Sequence, residues 1–262
     1  MMNRRNTWLL AASCLMATVA GATPADAEKE SVDAAPQVGR QFELRADPQG
    51  EELDASIRAT IEQGNTRIEW AGTFRIGDPP LYYHLEIDFK AKTYKATRKE
   101  VPSDWLKGQS GKSGSGGTMA AIAPGSWYAE VNLITEDPLQ IDLATTKNYV
   151  FWTTYSDGSM LIRNAYGTCT SYDGTGQSPP VDTHWYIQSC TGYYSTPWAQ
   201  QVNSSYYNWD WGYDDRATTT AHMLKIQPHN NASFWYWNSY SHAGEDNWVL
   251  QADLFVNGVQ QY

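Results

Sequence analysis

Asp210, Asp214 and Asp215 fall within six positions of the chain, beside a dense aromatic run. Oxygen ligands in that density, joined by Glu245 and Asp246, are what a calcium ion needs. No EF-hand spacing is present, so solvated loop carboxylates are the competing reading. The aromatic run itself is Tyr206-Tyr207-Asn208-Trp209-Asp210-Trp211-Gly212-Tyr213. In extended backbone it puts Tyr207, Trp209, Trp211 and Tyr213 on one side and Asn208 and Asp210 on the other. A second run, Phe234-Trp235-Tyr236-Trp237, places bulky rings on both sides of one strand. Exposed rings beside carboxylates and amides suit sugars, whose C–H faces stack on rings and whose hydroxyls take hydrogen bonds. Trp209, Asp210, Trp211, Trp235, Tyr236 and Trp237 are therefore the candidate ligand-binding residues. The alternative is that both runs are ordinary core strands.

Catalytic constellations are sparse. His184, His222, His229 and His242 lie in the C-terminal half and His84 in the N-terminal half, with no His-Glu-x-x-His among them. There is no Gly-x-Ser-x-Gly elbow for a serine nucleophile. Gly111-Lys112-Ser113 invites a phosphate-loop reading, but the spacing requires glycine where Leu106 stands. Glu130, Asp142, Asp210, Glu245 and Asp253 all sit near aromatics and could supply paired carboxylates for glycoside hydrolysis. That chemistry needs two of them about 5–9 Å apart across a cleft, which spacing alone does not give. No catalytic residue is assigned.

These side chains need a scaffold. The region 121–262 reads as strand after strand. Trp127, Ala129, Val131 and Leu133 alternate with polar neighbours, and residues 149–155 and 160–165 flank Asp157-Gly158, a strong hairpin signal. Further strand candidates lie at 184–189, 218–227, 233–239 and 248–256. About eight to ten short strands without helical periodicity argue an antiparallel β-sandwich or jelly roll. This region holds 26 aromatic and 22 aliphatic or methionine side chains. A sandwich of strands about six residues long offers roughly 30 core positions, so some rings are expected at the surface.

Ahead of it, residues 47–107 read as a small α+β unit. Asp47-Pro48 resembles a helix start, Leu53, Ile57 and Ile61 repeat at i, i+4 and i+8, and Gly64 is a stop. About three antiparallel strands follow, at 67–76, around Leu85, Ile87 and Phe89, and at 93–97. Residues 28–46 read as a flexible lead-in, and 108–120 as a Gly/Ser-rich linker between the two units.

Residues 1–27 read as a secretory signal: Arg4 and Arg5, an apolar stretch over 8–20, then Ala25-Asp26-Ala27, with cleavage expected after Ala27. Cleavage removes Cys14 and leaves Cys169 and Cys190 to form one disulfide in an oxidising compartment. The formal net charge of −10 argues against a nucleic-acid partner. No later run is long and apolar enough for a transmembrane helix. The functional expectation is a secreted binding or adhesion protein, with polysaccharide or cell-surface glycan as ligand and no cofactor beyond calcium. A secreted glycosidase is the first alternative. A toxin-like protein that uses its aromatics at a membrane interface is the second.

Overall fold

Residues on both sides of 108–120 hydrogen-bond into the same two sheets. The computed structural model describes residues 41–53, 56–62, 65–103, 105–106, 124–136, 142–172, 185–195, 199–209, 217–244 and 249–261. All of them belong to one unit spanning Ala35–Tyr262. Among the described residues fourteen strands form: β1 (Gln41–Glu43), β2 (Arg45–Ala46), β3 (Ser56–Glu62), β4 (Asn65–Arg75), β5 (Leu81–Asp88), β6 (Thr93–Arg98), β7 (Gly125–Glu136), β8 (Asp142–Thr154), β9 (Met160–Ser171), β10 (Trp185–Ser195), β11 (Ala199–Trp209), β12 (Ala217–Pro228), β13 (Ser233–Ala243) and β14 (Val249–Gln261).

Two seven-stranded sheets result. The first, sheet A, has the order β1-β3-β4-β13-β12-β11-β10; the second, sheet B, has β2-β6-β5-β14-β7-β8-β9. Every pairing is antiparallel except the short β2–β6 pair. One stretch of chain, β1 then β2, passes from sheet A to sheet B around the buried Leu44. At the opposite edge, Cys169 on β9 and Cys190 on β10 form a disulfide between the sheets.

The expected all-β sandwich is present, but among the described residues the helix ahead of it is not. Ser56–Glu62 is a strand paired to β4, with Ile57, Ala59 and Ile61 buried on one face. A spacing of four is even as well as near-helical, so Ile57 and Ile61 satisfy both periods; Ala59 between them completes the strand face. The lead-in expected over 28–46 also ends early. Residues 41–46 carry β1 and β2, because Leu44 supplies a buried anchor between them. Residues 1–40 and 107–123, which hold the expected signal and linker, lie outside the described residues.

The hairpin at Asp157-Gly158 forms as its sequence requires. Gly158 takes a positive φ of 82°, and Asp157 Oδ1 accepts from the Ser159 amide at 2.9 Å. Between the sheets, one large apolar cluster includes Ile68, Trp70, Leu85, Val131, Leu224, Phe234 and Leu254. A smaller one gathers Leu143, Ala144, Trp185 and Tyr206. Next to it, Thr146 Oγ1 lies 2.6 Å from Ser204 Oγ, 2.8 Å from the Tyr206 hydroxyl and 2.9 Å from His222 Nδ1. His222 Nε2 reaches Thr135 Oγ1 at 2.8 Å. Both ring nitrogens are therefore partnered, as a buried imidazole requires.

Candidate functional site

The solvent side of sheet A is built by strict alternation along β11, β12 and β13. Val202, Ser204, Tyr206, Leu224, Ile226, Phe234 and Tyr236 turn inward and are buried. Their neighbours Gln201, Asn203, Tyr207, Met223, Lys225, Gln227, Trp235 and Trp237 turn outward and are half-buried. Register then sets these outward residues in rows across the sheet. One row runs Tyr193, Gln201, Lys225, Trp237 and Ala71. Trp235 stands two residues from Trp237 on the same side, flanked by Gln227 and Thr73. At the far end of the sheet the outward Tyr186 and Tyr207 rings pack 5.4 Å apart.

Within the row, the Tyr193 and Trp237 rings flank the polar Gln201 and Lys225. Tyr193 and Trp237 are three strands apart, about 14 Å at normal strand spacing. Lys225 Nζ lies 5.8 Å from the Trp237 ring centroid, which holds the ammonium over the row. Gln201 donates from Nε2 to Asn203 Oδ1 at 2.9 Å. Exposure rises toward the β10 edge, where Tyr193 is 52% exposed. A surface of flat rings interspersed with amides, hydroxyls and one ammonium can stack on and hydrogen-bond to a polyhydroxylated ligand.

Of the sequence candidates, Trp235 and Trp237 share this face. Tyr236 does not: it is 4% exposed and turned between the sheets, because adjacent strand residues face opposite ways. Trp209 ends β11, and its side chain lies outside the described residues, as do Asp210, Trp211, Asp214 and Asp215, the proposed calcium ligands, together with Glu245 and Asp246. Tyr193, Gln201 and Lys225 were not singled out by the sequence. Their spacing in the chain carries no signal, and only the register of four strands brings them together.

The outer side of sheet B is different. There Tyr82, His84, Glu136 and Asp253 are buried on β5, β7 and β14. Trp105 packs over them, 5.1 Å from the Tyr82 ring and 5.2 Å from the Phe255 ring. Asp253 Oδ2 accepts from the Tyr82 hydroxyl at 2.5 Å and from Lys99 Nζ at 2.7 Å. Lys99 also donates to Glu136 Oε1 at 3.2 Å. Burial pushes the Asp253 carboxyl up, but the hydrogen bonds from His84, Lys99 and Tyr82 outweigh it and hold it below the usual carboxylate range. The Asp253 and Glu136 carboxylates raise His84 to about 9 against the opposing effect of burial.

The carboxylates considered for glycoside hydrolysis are placed as follows. Glu130 is buried, accepting from the Tyr128 hydroxyl at 2.6 Å and from Asn132 Nδ2 at 2.8 Å. Asp142 is opposite Glu136 in the β7–β8 register, and burial followed by the Glu136 and Asp253 charges raises its carboxyl. Asp253 is fully buried and bonded as above. Glu130 and Asp253 are set four rungs apart along the β7–β14 pair, about 13 Å.

The chain matches no known protein-family model and no curated protein sequence.

Proposed function

We propose that the protein is an extracellular binding module for a polysaccharide or cell-surface glycan, and that the solvent face of sheet A is its binding surface. The row Tyr193–Gln201–Lys225–Trp237, with Trp235 beside it, is the observation that carries this reading. Leaving large rings in contact with water forgoes roughly 1.5–3 kcal/mol of burial each. Clustered outward rings on one sheet face therefore mark a contact surface rather than a stability device. Gln201, Asn203, Lys225 and Gln227 supply donors and acceptors matched to ring hydroxyls. The Cys169–Cys190 bond supports an oxidising compartment, consistent with the signal read in residues 1–27.

Glu130 and Asp253 do not pair as glycosidase carboxylates. Glu130 and Asp253 are buried and engaged by neighbours rather than facing one another across an open cleft. Affinity electrophoresis through gels cast with soluble polysaccharides tests the proposal. The intact protein is expected to be retarded by at least one glycan, and Trp237→Ala with Tyr193→Ala to run freely. Equal mobility in every glycan gel and in the blank gel would overturn the reading.

A further inference from the structure

We propose that His84, Glu136 and Asp253 form a binding site for one divalent first-row metal ion such as Zn²⁺ or Mn²⁺. The site is on sheet B, on the opposite side of the sandwich from the glycan surface, and stands independently of it. His84 and Asp253 are direct cross-strand partners on β5 and β14, and Glu136 comes from β7, the next strand. One ligand atom from each, His84 Nδ1 and a carboxylate oxygen of Glu136 and of Asp253, lies within 4.8 Å of the others.

Pinned carboxylates carry the argument. Lys99 and Tyr82 hold Asp253 by Oδ2, and Lys99 holds Glu136 by Oε1. The remaining oxygens, Asp253 Oδ1 and Glu136 Oε2, both face His84 Nδ1, at 3.0 Å and 2.6 Å. One ring nitrogen carries at most one proton, so it can serve only one of the two oxygens well. Glu136 Oε2, on a side chain 1% exposed, accordingly lacks a hydrogen bond of good geometry. A neutral imidazole would instead turn its lone pair or a single N–H toward two carboxylates. A cation among the three atoms satisfies all of them together. Lys99 and Tyr82 then act as the outer partners that orient ligating carboxylates in metal sites.

Ligand chemistry selects the ion. An imidazole nitrogen with two carboxylate oxygens suits zinc or manganese, whereas calcium and magnesium prefer all-oxygen sets. Zinc would bond such atoms at about 2.0–2.2 Å, which sets tetrahedral ligands about 3.3–3.6 Å apart, so Glu136 Oε2 has to move from His84 Nδ1 by roughly 0.7–1 Å and Asp253 Oδ1 by less. Binding brings in two positive charges and releases one: the metal enters, the His84 imidazolium loses its Nδ1 proton to solvent, both carboxylates stay ionised, and the site gains one net positive charge. Groups facing the site from the packed elements are Tyr82, Lys99, Glu136, Asp142 and Asp253. Lys99 opposes the metal's charge, and Asp142 favours it.

Untagged full-length protein, stripped with chelator, is titrated with Zn²⁺ and separately with Mn²⁺ by calorimetry. One ion per chain is expected. Ca²⁺ and Mg²⁺ are expected to bind at least tenfold more weakly. His84→Gln is expected to abolish the stoichiometric site. Should that variant not fold, X-ray absorption of the zinc-loaded wild-type protein still decides, with one imidazole and carboxylate oxygens expected around the ion at about 2.0–2.2 Å. No 1:1 binding, a zinc shell without imidazole, or unchanged binding in folded His84→Gln would overturn the proposal.

Discussion

Trp237 and Tyr193 stand on one row of sheet A, three strands apart, both on the solvent side and separated by Lys225 and Gln201. The chain brings residues 44 positions apart into one surface by folding β10 to β13 as consecutive antiparallel strands. Neither ring belongs to the buried clusters between the sheets, so removing either is expected to leave the sandwich folded.

Trp235 and Tyr236 should part company on truncation. Trp235→Ala removes an outward, half-buried ring and is expected to change stability by under about 1 kcal/mol. Tyr236→Ala empties a buried position against Phe74 and Phe234 and is expected to destabilise by about 3–5 kcal/mol. Urea denaturation of both variants checks the contrast. Equal effects would mean that alternation along β13 does not separate surface from core.

Reduction should loosen the β9–β10 edge. Cys169 and Cys190 are 21 positions apart, a loop whose closure stabilises by about 3 kcal/mol in the chain-entropy model. Denaturation with and without reductant is expected to show a loss of about 2–4 kcal/mol. An unchanged midpoint would show that packing alone holds this edge.

Gly167 on β9 faces Val202 on β11 across the sandwich. A Cβ at Gly167 would come within 2.2 Å of Val202 Cγ2. Gly167→Ala is expected to destabilise by about 1–3 kcal/mol, and Val202→Ala in the same chain to restore part of it. A double-mutant cycle measures the coupling, and additive losses would place the strain elsewhere.

Two buried histidines should shape the pH dependence in opposite directions. Burial lowers His222 to about 3, while an unfolded histidine titrates near 6.5. Below about pH 6.5 the unfolded chain therefore binds a proton the folded chain refuses, and stability falls by up to about 1.4 kcal/mol per unit until about pH 3. His84, raised to about 9 by Asp253 and Glu136, works the other way. Its contribution is full below about pH 6.5 and is lost as pH rises through about 9. Stability is expected to peak near neutrality, with His222→Gln flattening the acid limb and His84→Gln the alkaline limb. Chemical denaturation across pH 4–9 measures both.

The fold was legible where a single period operated. Leu85, Ile87 and Phe89, and Trp127 to Leu133, alternate without ambiguity, and all the apolar members are buried. The 47–64 region misled because Leu53, Ile57 and Ile61 fit a helix and a strand alike. The surplus of large side chains had two outlets. Strands β7 to β14 run 11 to 13 residues rather than about six, giving more inward positions, and Tyr82, Tyr128 and Phe255 are buried on the outer side of sheet B. The candidate sites were less legible. Trp235 and Trp237 could be named from one strand, but Tyr193 and Gln201 join them only through register. His84 and Asp253 are 169 positions apart, and nothing local in either segment names the partner.

The central claim is tested most directly by tryptophan fluorescence of the intact protein titrated with a panel of soluble polysaccharides, alongside lipid vesicles. A glycan seated on the Trp235 and Trp237 rings is expected to give a saturable quench or blue shift, at least tenfold weaker in Trp235→Ala/Trp237→Ala. A response to vesicles alone, or a glycan response that the double variant retains in full, would contradict the claim.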